Sequence, residues 1–218
     1  MGGEIYHVLN RANARMRIFG RGGDYLAFER ILAEGNRRFQ MRMLAYCLMP
    51  NHWHLVLWPR KDGDLPRYMA WTTMTHAQRW HAYMGNVGTG HLYQGRYKSA
   101  IVQDDAHLAT VLRYVDGNPL RAGLVRRAED WRWGSLWRSV NRKGLFGLEK
   151  DWPIEKPAEW TDLVNCLQDG EDLGAIRTSI QRSQPFGNGQ WQAGVARKLG
   201  LLSTIRARGR PRGRKKGS

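Results

Sequence analysis

"AYCLMPNHWHLVLWP", residues 45–59, decides the fold, because it holds the end of one apolar run, a chain reversal and the whole of a second apolar run. Pro50 and Asn51 are residue types that favour tight turns. The sequence therefore predicts two strands, 41–48 and 52–58, that meet at this turn.

Two histidines interrupt the second strand. Residues two apart in a strand point to the same side, with Cα atoms roughly 6.8 Å apart. His52 and His54 therefore share one face, and Trp53 points to the opposite face, which we expect to be core. We expect the histidine face to be left open for a site, with neither imidazole buried. Two such imidazoles can bind one divalent ion, although the same spacing also occurs in zinc enzymes, in two-histidine iron sites and by chance.

The segments on either side of the hairpin alternate between strand and helix patterns. "EIYHVLNR" precedes it and "KSAIVQ" follows it as strands, and helical periodicity begins at Asp24, at Leu65 and at Asp104–Asp105. The order strand, helix, strand, strand, helix, strand, helix is typical of an α+β fold. We expect an antiparallel sheet with helices packed on one face, and a partly helical C-terminal extension.

The last of these helices offers two further candidates for the site. Tyr114 and Asn118 are four residues apart, so both project from one side of the helix end. Pro119 ends the helix and frees the backbone there, which lets the Asn118 amide oxygen reach an ion. A nucleophile and a third ligand are what a histidine pair needs to become a metal-dependent site.

The charge balance points to nucleic acid. The chain has 218 residues, and 35 Lys and Arg against 19 Asp and Glu leave a formal net charge of +16. Such an excess is expected of a phosphate binder, although anionic membranes and acidic proteins also attract basic chains. No apolar stretch approaches the length of a membrane helix, and the N-terminus lacks a signal pattern. With only Cys47 and Cys166 present, we expect a reduced, cytoplasmic protein without a disulfide framework.

Changes in composition divide the chain into three parts. We expect a first domain over 1–130 that contains the histidine pair, an aromatic and partly helical extension over 131–203, and a flexible basic tail over 204–218. The tail contains "RGRP", residues 208–211, which resembles the AT-hook, a minor-groove clamp. A basic tail that binds phosphates without reading the groove is the equal alternative.

Four blocks of sequence resemble one family. "YHVLNRA", "CLMPNHWHLVLW", "HLYQGRYKS" and "RYVDGNPLRAGLV" are similar, in content and order, to the REP-associated tyrosine transposases, relatives of the single-tyrosine HUH transposases. The resemblance implies a ferredoxin-like or RRM-like sheet that bears the histidine pair. It implies that His52, His54 and Asn118 hold Mg²⁺ or Mn²⁺, and that Tyr114 is the nucleophile.

The function implied is a metal-dependent endonuclease and strand transferase for single-stranded DNA. It would act at hairpin-forming repeated extragenic palindromes through a 5′-phosphotyrosine intermediate. The alternative is a catalytically idle regulator that binds repeat DNA on the same fold. A zinc hydrolase is a third reading, and it needs a further strong ligand that neither block offers. We expect single-stranded or hairpin DNA as the partner, no membrane, and a monomer in preference to a homodimer.

Other polar residues have weaker signals. We expect His7 to be a sheet residue and not a ligand, and Tyr93 and Tyr97 to serve in packing and base stacking. Gly117 should loosen the helix of Tyr114 by up to about 1 kcal/mol relative to Ala. Arg11, Arg15 and Arg17 follow the first strand, and for them a solvent-exposed position without DNA contact is the equal alternative. The candidate DNA-binding residues are Arg11, Arg15, Arg17, Arg96, Lys98, Arg208, Arg210 and Arg212.

Overall fold

The structure is a computed structural model that describes residues 1–149, 151–166, 168 and 170–206. Its centre is a four-stranded sheet in the order β2-β3-β1-β4, and every neighbouring pair is antiparallel. The predicted α+β class with an antiparallel sheet is confirmed. The strands are β1 (Ile5–Arg11), β2 (Arg42–Met49), β3 (His52–Trp58) and β4 (Lys98–Val102).

Nine α-helices occur in the described residues, and none of them has both the length and the apolar character needed to cross a membrane. They are α1 (Gly22–Phe39), α2 (Asp64–Met84), α3 (Ala106–Asp116), α4 (Asn118–Arg121), α5 (Ser135–Asn141), α6 (Trp160–Asn165), α7 (Gly170–Arg182), α8 (Gly189–Lys198) and α9 (Leu202–Ile205).

The helix ends follow local chemistry, with two differences from the prediction. α1 begins at Gly22, before Asp24, whose carboxylate reaches back to accept from the backbone N–H groups of Gly20 and Arg21 at 2.8 Å each. α3 ends at Asp116, and Pro119 lies in the first turn of α4. The N–H groups of a first turn have no partner within the helix, so proline loses no hydrogen bond there.

Helices cover both faces of the sheet, whereas the sequence predicted them on one face. α1 and α2 pack on the face that carries Trp53, which is fully buried as predicted. α3 and the C-terminal extension pack on the other face, around Val56 and Leu112. The expectation of open histidines was therefore wrong for His54, which is only 3% exposed. The apolar stripe of α3 needs a partner, and this face of the sheet supplies it.

The C-terminal extension also covers both edges of the sheet. At the β2 edge the backbone N–H of Leu48 donates to the carbonyl of Trp133 at 2.9 Å. At the β4 edge Phe186 donates to the carbonyl of Ile101 at 2.7 Å and accepts from Gln103 at 2.9 Å. These bonds occupy edge groups that could otherwise pair with another chain.

Candidate active site

The histidine pair on β3 presents the same ring nitrogen of each residue to a ligand. Nδ1 of His52 lies 2.6 Å from Oδ1 of Asn51, and Nδ1 of His54 lies 2.9 Å from Nε2 of His7. The two ring centroids of the pair are 5.2 Å apart. A neutral imidazole that donates through Nδ1 keeps its lone pair on Nε2. The Asn51 oxygen can only accept, which leaves Nε2 of His52 to bind, and Nε2 of His54 is left to bind when Nε2 of His7 is the acceptor.

His7 lies inside the site, on the neighbouring strand. It faces Val56 across β1 and β3 and is therefore the diagonal neighbour of His54. Its ring stacks on that of His54 with centroids 5.1 Å apart. The expectation of a sheet residue describes its position but misses this contact. The strand alternation that places His7 on the face of Ile5 and Leu9 was the signal that could have found it.

Burial keeps these imidazoles neutral. It lowers the pKa of His7 to about 3. Burial, aided by the charge of Arg11, lowers the pKa of His52 to about 4. The pKa of His54 is lowered well below its usual range by burial first and by the neighbouring histidines next. The neutral form is the one that binds metal ions, so the cluster is ready to ligate at neutral pH.

Tyr114 packs edge-on against the histidine cluster. Its ring centroid lies 5.7 Å from that of His54 and 5.9 Å from that of His7. Packing of α3 on the sheet thus brings together a phenol and imidazoles that are far apart in sequence. Tyr114 itself is buried.

Arg121 is a member of this cluster that the sequence analysis missed. Its guanidinium carbon lies 4.4 Å from the centre of the Tyr114 ring, and the group also donates to the Tyr114 carbonyl. Burial lowers the pKa of Arg121 to about 10, so the group still carries its charge at neutral pH. The spacing of positions 114, 117, 118 and 121 along one helical face could have indicated it.

Gly117 makes room for that guanidinium. A Cβ atom at this position would lie 2.8 Å from Nη1 of Arg121 and 3.0 Å from the carbonyl oxygen of Arg113. The expectation that Gly117 merely loosens the helix therefore leaves out a steric requirement: a larger residue there would displace Arg121 from Tyr114.

Asn118 is buried, and its Nδ2 atom has no hydrogen-bond partner in the part of the chain that the structure describes. A buried amide without a partner is costly, so this one suits a ligand from outside the chain. A half-turn of the carboxamide exchanges its nitrogen and oxygen, which allows the oxygen to be offered. Imidazole nitrogens and an amide oxygen are donor types that a divalent ion accepts, so the residue types of the predicted ligand set fit such an ion.

Basic residues line a cavity beside the histidines. Arg11, Arg96 and Lys98 border a space of about 420 Å³, together with Gln94 and Gln181. Arg11 is the cross-strand partner of His52, so the cavity begins next to the histidine pair. Three of the predicted DNA-binding residues are thus brought to one place.

The remaining predicted DNA contacts lie elsewhere. Arg15 and Arg17 are exposed in the turn after β1, where the Arg15 carbonyl accepts from Nδ2 of Asn51 at 3.2 Å. Asn51 therefore joins this turn to His52, a link that the sequence analysis did not foresee. The tail residues Arg208, Arg210 and Arg212 lie outside the described residues.

Tyr93 has no access to a base. Its hydroxyl accepts from Nε1 of Trp53 at 2.9 Å and lies 2.6 Å from Nδ1 of His76, all on the core face of the sheet. Of the two roles expected for Tyr93, packing is the one the structure supports, and base stacking was wrong.

Comparison with known proteins decides the family. A model of the family described as "Transposase IS200 like" matches residues 3–118, which include the four strands, the histidine pair, Tyr114 and Asn118. The chain belongs to this transposase family. It is 24% identical to the REP-associated tyrosine transposase of Escherichia coli (strain K12) over 172 residues, 79% of this chain and 93% of that protein.

A solved structure shares the fold. It is a REP-associated tyrosine transposase bound to a REP hairpin, with a TM-score of 0.53 and 18% identity, over 68% of this chain and 87% of that one. The resemblance to REP-associated tyrosine transposases is thus confirmed, and with it the enzyme class, a DNA transposase.

Proposed function

We propose that this transposase is a metal-dependent endonuclease and strand transferase for single-stranded DNA at hairpin-forming repeats, with Tyr114 as its nucleophile. The observation that carries the proposal is the packing of the Tyr114 ring against His54, whose Nε2 atom is left to bind. A phosphodiester is an anion that repels nucleophiles, so the cleaving group must work beside positive charge.

The cleavage step exchanges one phosphate ester for another. The Tyr114 oxygen forms a bond to phosphorus while the bond from phosphorus to the 3′ oxygen breaks. The phenol gives up its proton and the 3′ oxygen takes one up, which leaves a 5′-phosphotyrosine and a 3′ hydroxyl. Because a phenolate is also a competent leaving group, another 3′ hydroxyl can reverse the step and rejoin strands.

His52, His54 and Asn118 are the residues that would hold the metal, Mg²⁺ or Mn²⁺. When bound, such an ion would offset the charge of the phosphate oxygens and orient the phosphorus. His7 and Asn51 would accept from the two Nδ1 atoms and so hold both imidazoles in the tautomer that ligation needs. Arg121 places a positive charge over the Tyr114 ring, where it would stabilise the phenolate in either direction of the reaction.

The proposed substrate is an unpaired strand next to a hairpin. Arg11, Arg96 and Lys98 lie beside the histidine pair, where they would neutralise the phosphates of a strand that enters the site. An unpaired backbone can bend into such a cavity, whereas a duplex is stiff. The solved relative's complex with a REP hairpin supports hairpin DNA as the target.

A denaturing gel tests the nucleophile. The protein is mixed with Mn²⁺ and a hairpin oligonucleotide that has an unpaired flank, and a covalent adduct is expected. Tyr114→Phe should abolish the adduct and Tyr97→Phe should keep it. Adduct formation by the Tyr114 variant would contradict this assignment.

The same assay distinguishes the idle regulator. Shifted bands without cleavage, over several repeat sequences, would favour a protein that only binds. A zinc hydrolase would need a further strong ligand beside the histidine pair. Among the described residues no group of three or more His, Cys, Asp or Glu side chains could hold a metal.

We also propose that the protein is a monomer, because its own extension occupies both edges of the sheet. Light scattering of the purified chain should give a mass near 25.1 kDa, and a mass of twice that value would contradict the proposal. A cytoplasmic location and the domain division at residue 130 stay predictions.

A further inference from the structure

A second cavity, whose lining does not include Tyr114, lies under the C-terminal extension. It has a volume of about 660 Å³ and is bordered by Leu44 of β2, Asp116 at the end of α3, α5 and parts of the segment 142–160. This volume is within the range of small-molecule binding sites. Nearly all of its lining lies beyond residues 3–118, the part that matches the family.

Aromatic side chains form its walls. The ring of Trp152 stands edge-on to that of Trp160, with centroids 5.1 Å apart. Phe146 lies beneath the guanidinium carbon of the buried Arg138, which is 4.1 Å from the ring centre. Trp152 and Phe146 both line the cavity and are only half-buried.

Positive side chains form its rim. Arg142, Lys143 and Lys156 all line the cavity and are exposed. Within the described residues no salt bridge joins any of the three to a carboxylate, and the charge of Lys156 acts on the Asp116 carboxylate at the floor of the cavity. Nζ of Lys156 lies 5.0 Å from the centre of the Trp152 ring, so charge and aromatic surface adjoin each other.

The floor is tied to the helix of the nucleophile. The Asp116 carboxylate accepts from Oγ of Ser135 at 2.5 Å and from Nε1 of Trp160 at 3.0 Å. Asp116 is two residues from Tyr114 on α3, so one rigid element borders both the cavity and the proposed catalytic cluster.

We propose that the cavity binds an unpaired nucleotide of the DNA flank, apart from the phosphate that Tyr114 attacks. Aromatic surface with positive charge beside it is the combination that holds single strands, because bases stack and phosphates pair with cations. The inference rests on the proposed function only in taking DNA as the substrate.

Equilibrium binding tests it in the Tyr114→Phe background, where no cleavage intervenes. The probes are one hairpin with a flank of roughly 4 unpaired nucleotides and the same hairpin with roughly 12, a span that covers known single-strand sites. The longer flank should bind more tightly. Trp152→Ala should weaken its binding about fivefold or more, and Trp152→Phe, which keeps a ring, should weaken it less.

Two matched double variants distinguish an effect of charge at the cavity from an effect of the net charge of the protein. Arg142→Glu with Lys143→Glu should remove the advantage of the longer flank. Arg197→Glu with Lys198→Glu changes the net charge equally on α8, where both side chains are exposed, and should keep that advantage. Equal losses from the two double variants would overturn the proposal, as would unchanged binding by Trp152→Ala.

Two other outcomes are distinguishable. If no hairpin binds at all, the proposed function fails together with this inference. If hairpins bind but an acidic oligopeptide competes for the cavity more strongly than an unpaired oligonucleotide, only the assignment of the cavity to DNA is overturned.

Discussion

Nε2 of His7 lies 2.9 Å from Nδ1 of His54, and this bond joins two strands of the sheet within the proposed metal site. It has a defined polarity if His54 binds metal: Nδ1 of His54 donates, Nε2 of His7 accepts, and Nε2 of His54 is free for the ion. His7 is thus a positioning residue for a proposed ligand.

Removal of that acceptor should weaken metal binding. His7→Leu leaves Nδ1 of His54 without its partner, and partners of this kind are typically worth about 10–100-fold in metal affinity. Calorimetric titration with Mn²⁺ measures the change. His7→Gln keeps a polar side chain and should lose less affinity for Mn²⁺. His91→Gln, in an exposed loop, is the control. Equal affinities for His7→Leu and the unaltered protein would exclude the role.

Loss of the cation over Tyr114 should slow strand cleavage. Cation–π contacts are worth about 0.5–2 kcal/mol, so Arg121→Gln should reduce the single-turnover rate roughly twofold to thirtyfold. Arg121→Lys keeps the charge but not the planar group, so its cleavage rate should lie between those of Arg121→Gln and the unaltered protein. Affinity for Mn²⁺ should not fall, because Arg121 is itself a positive charge that acts on His54. Exposed Arg126 supplies the control variant Arg126→Gln, and an equal loss there would point to general charge instead.

The hydroxyl of Tyr93 should matter for stability and not for chemistry. Tyr93→Phe leaves Nε1 of Trp53 buried without an acceptor, which typically costs about 1–3 kcal/mol. Urea unfolding should register this loss, while the covalent adduct still forms. Tyr97→Phe, at a half-buried position, is the comparison. A Tyr93 variant of unchanged stability would mean that the Trp53 bond contributes nothing.

His76 should make folding sensitive to acid. Burial lowers its pKa from 6.5 to about 3 in the folded chain. Between these values the unfolded chain binds a proton that the folded chain does not, so this contribution to stability is complete above pH 6.5 and declines as the pH falls toward 3.

A variant isolates that contribution. Between pH 7 and pH 4.5, His76→Phe should lose roughly 2 kcal/mol less free energy of unfolding than the unaltered protein. Urea unfolding at the two pH values gives the difference, which cancels any cost of the substitution that does not depend on pH. The same decline in both proteins would contradict the expectation.

Local patterns predicted the secondary structure well. The two-residue period placed His52 and His54 together on β3 and Trp53 in the core, and helical spacing found α3 with Tyr114 in its last turn. Both periods depend on residues near one another in sequence, which is why they can be read from it.

The partners of these residues could not be predicted in the same way. His7 and His54 are 47 positions apart, and their contact depends on the register between β1 and β3. The burial of His54 depends on α3 and the extension packing over its face, and the covered sheet edges depend on residues beyond 130. No periodicity in the chain encodes these distances.

By itself, the sequence determined the elements, the face that each histidine takes, the basic charge and the family blocks, because neighbouring residues set dihedral periods and composition sets charge. Only the tertiary structure decided that His7 bonds His54, that Arg121 lies over Tyr114 and that the extension builds a second cavity. Those contacts arise when apolar faces pack together, and packing brings side chains from distant parts of the chain into hydrogen-bonding range.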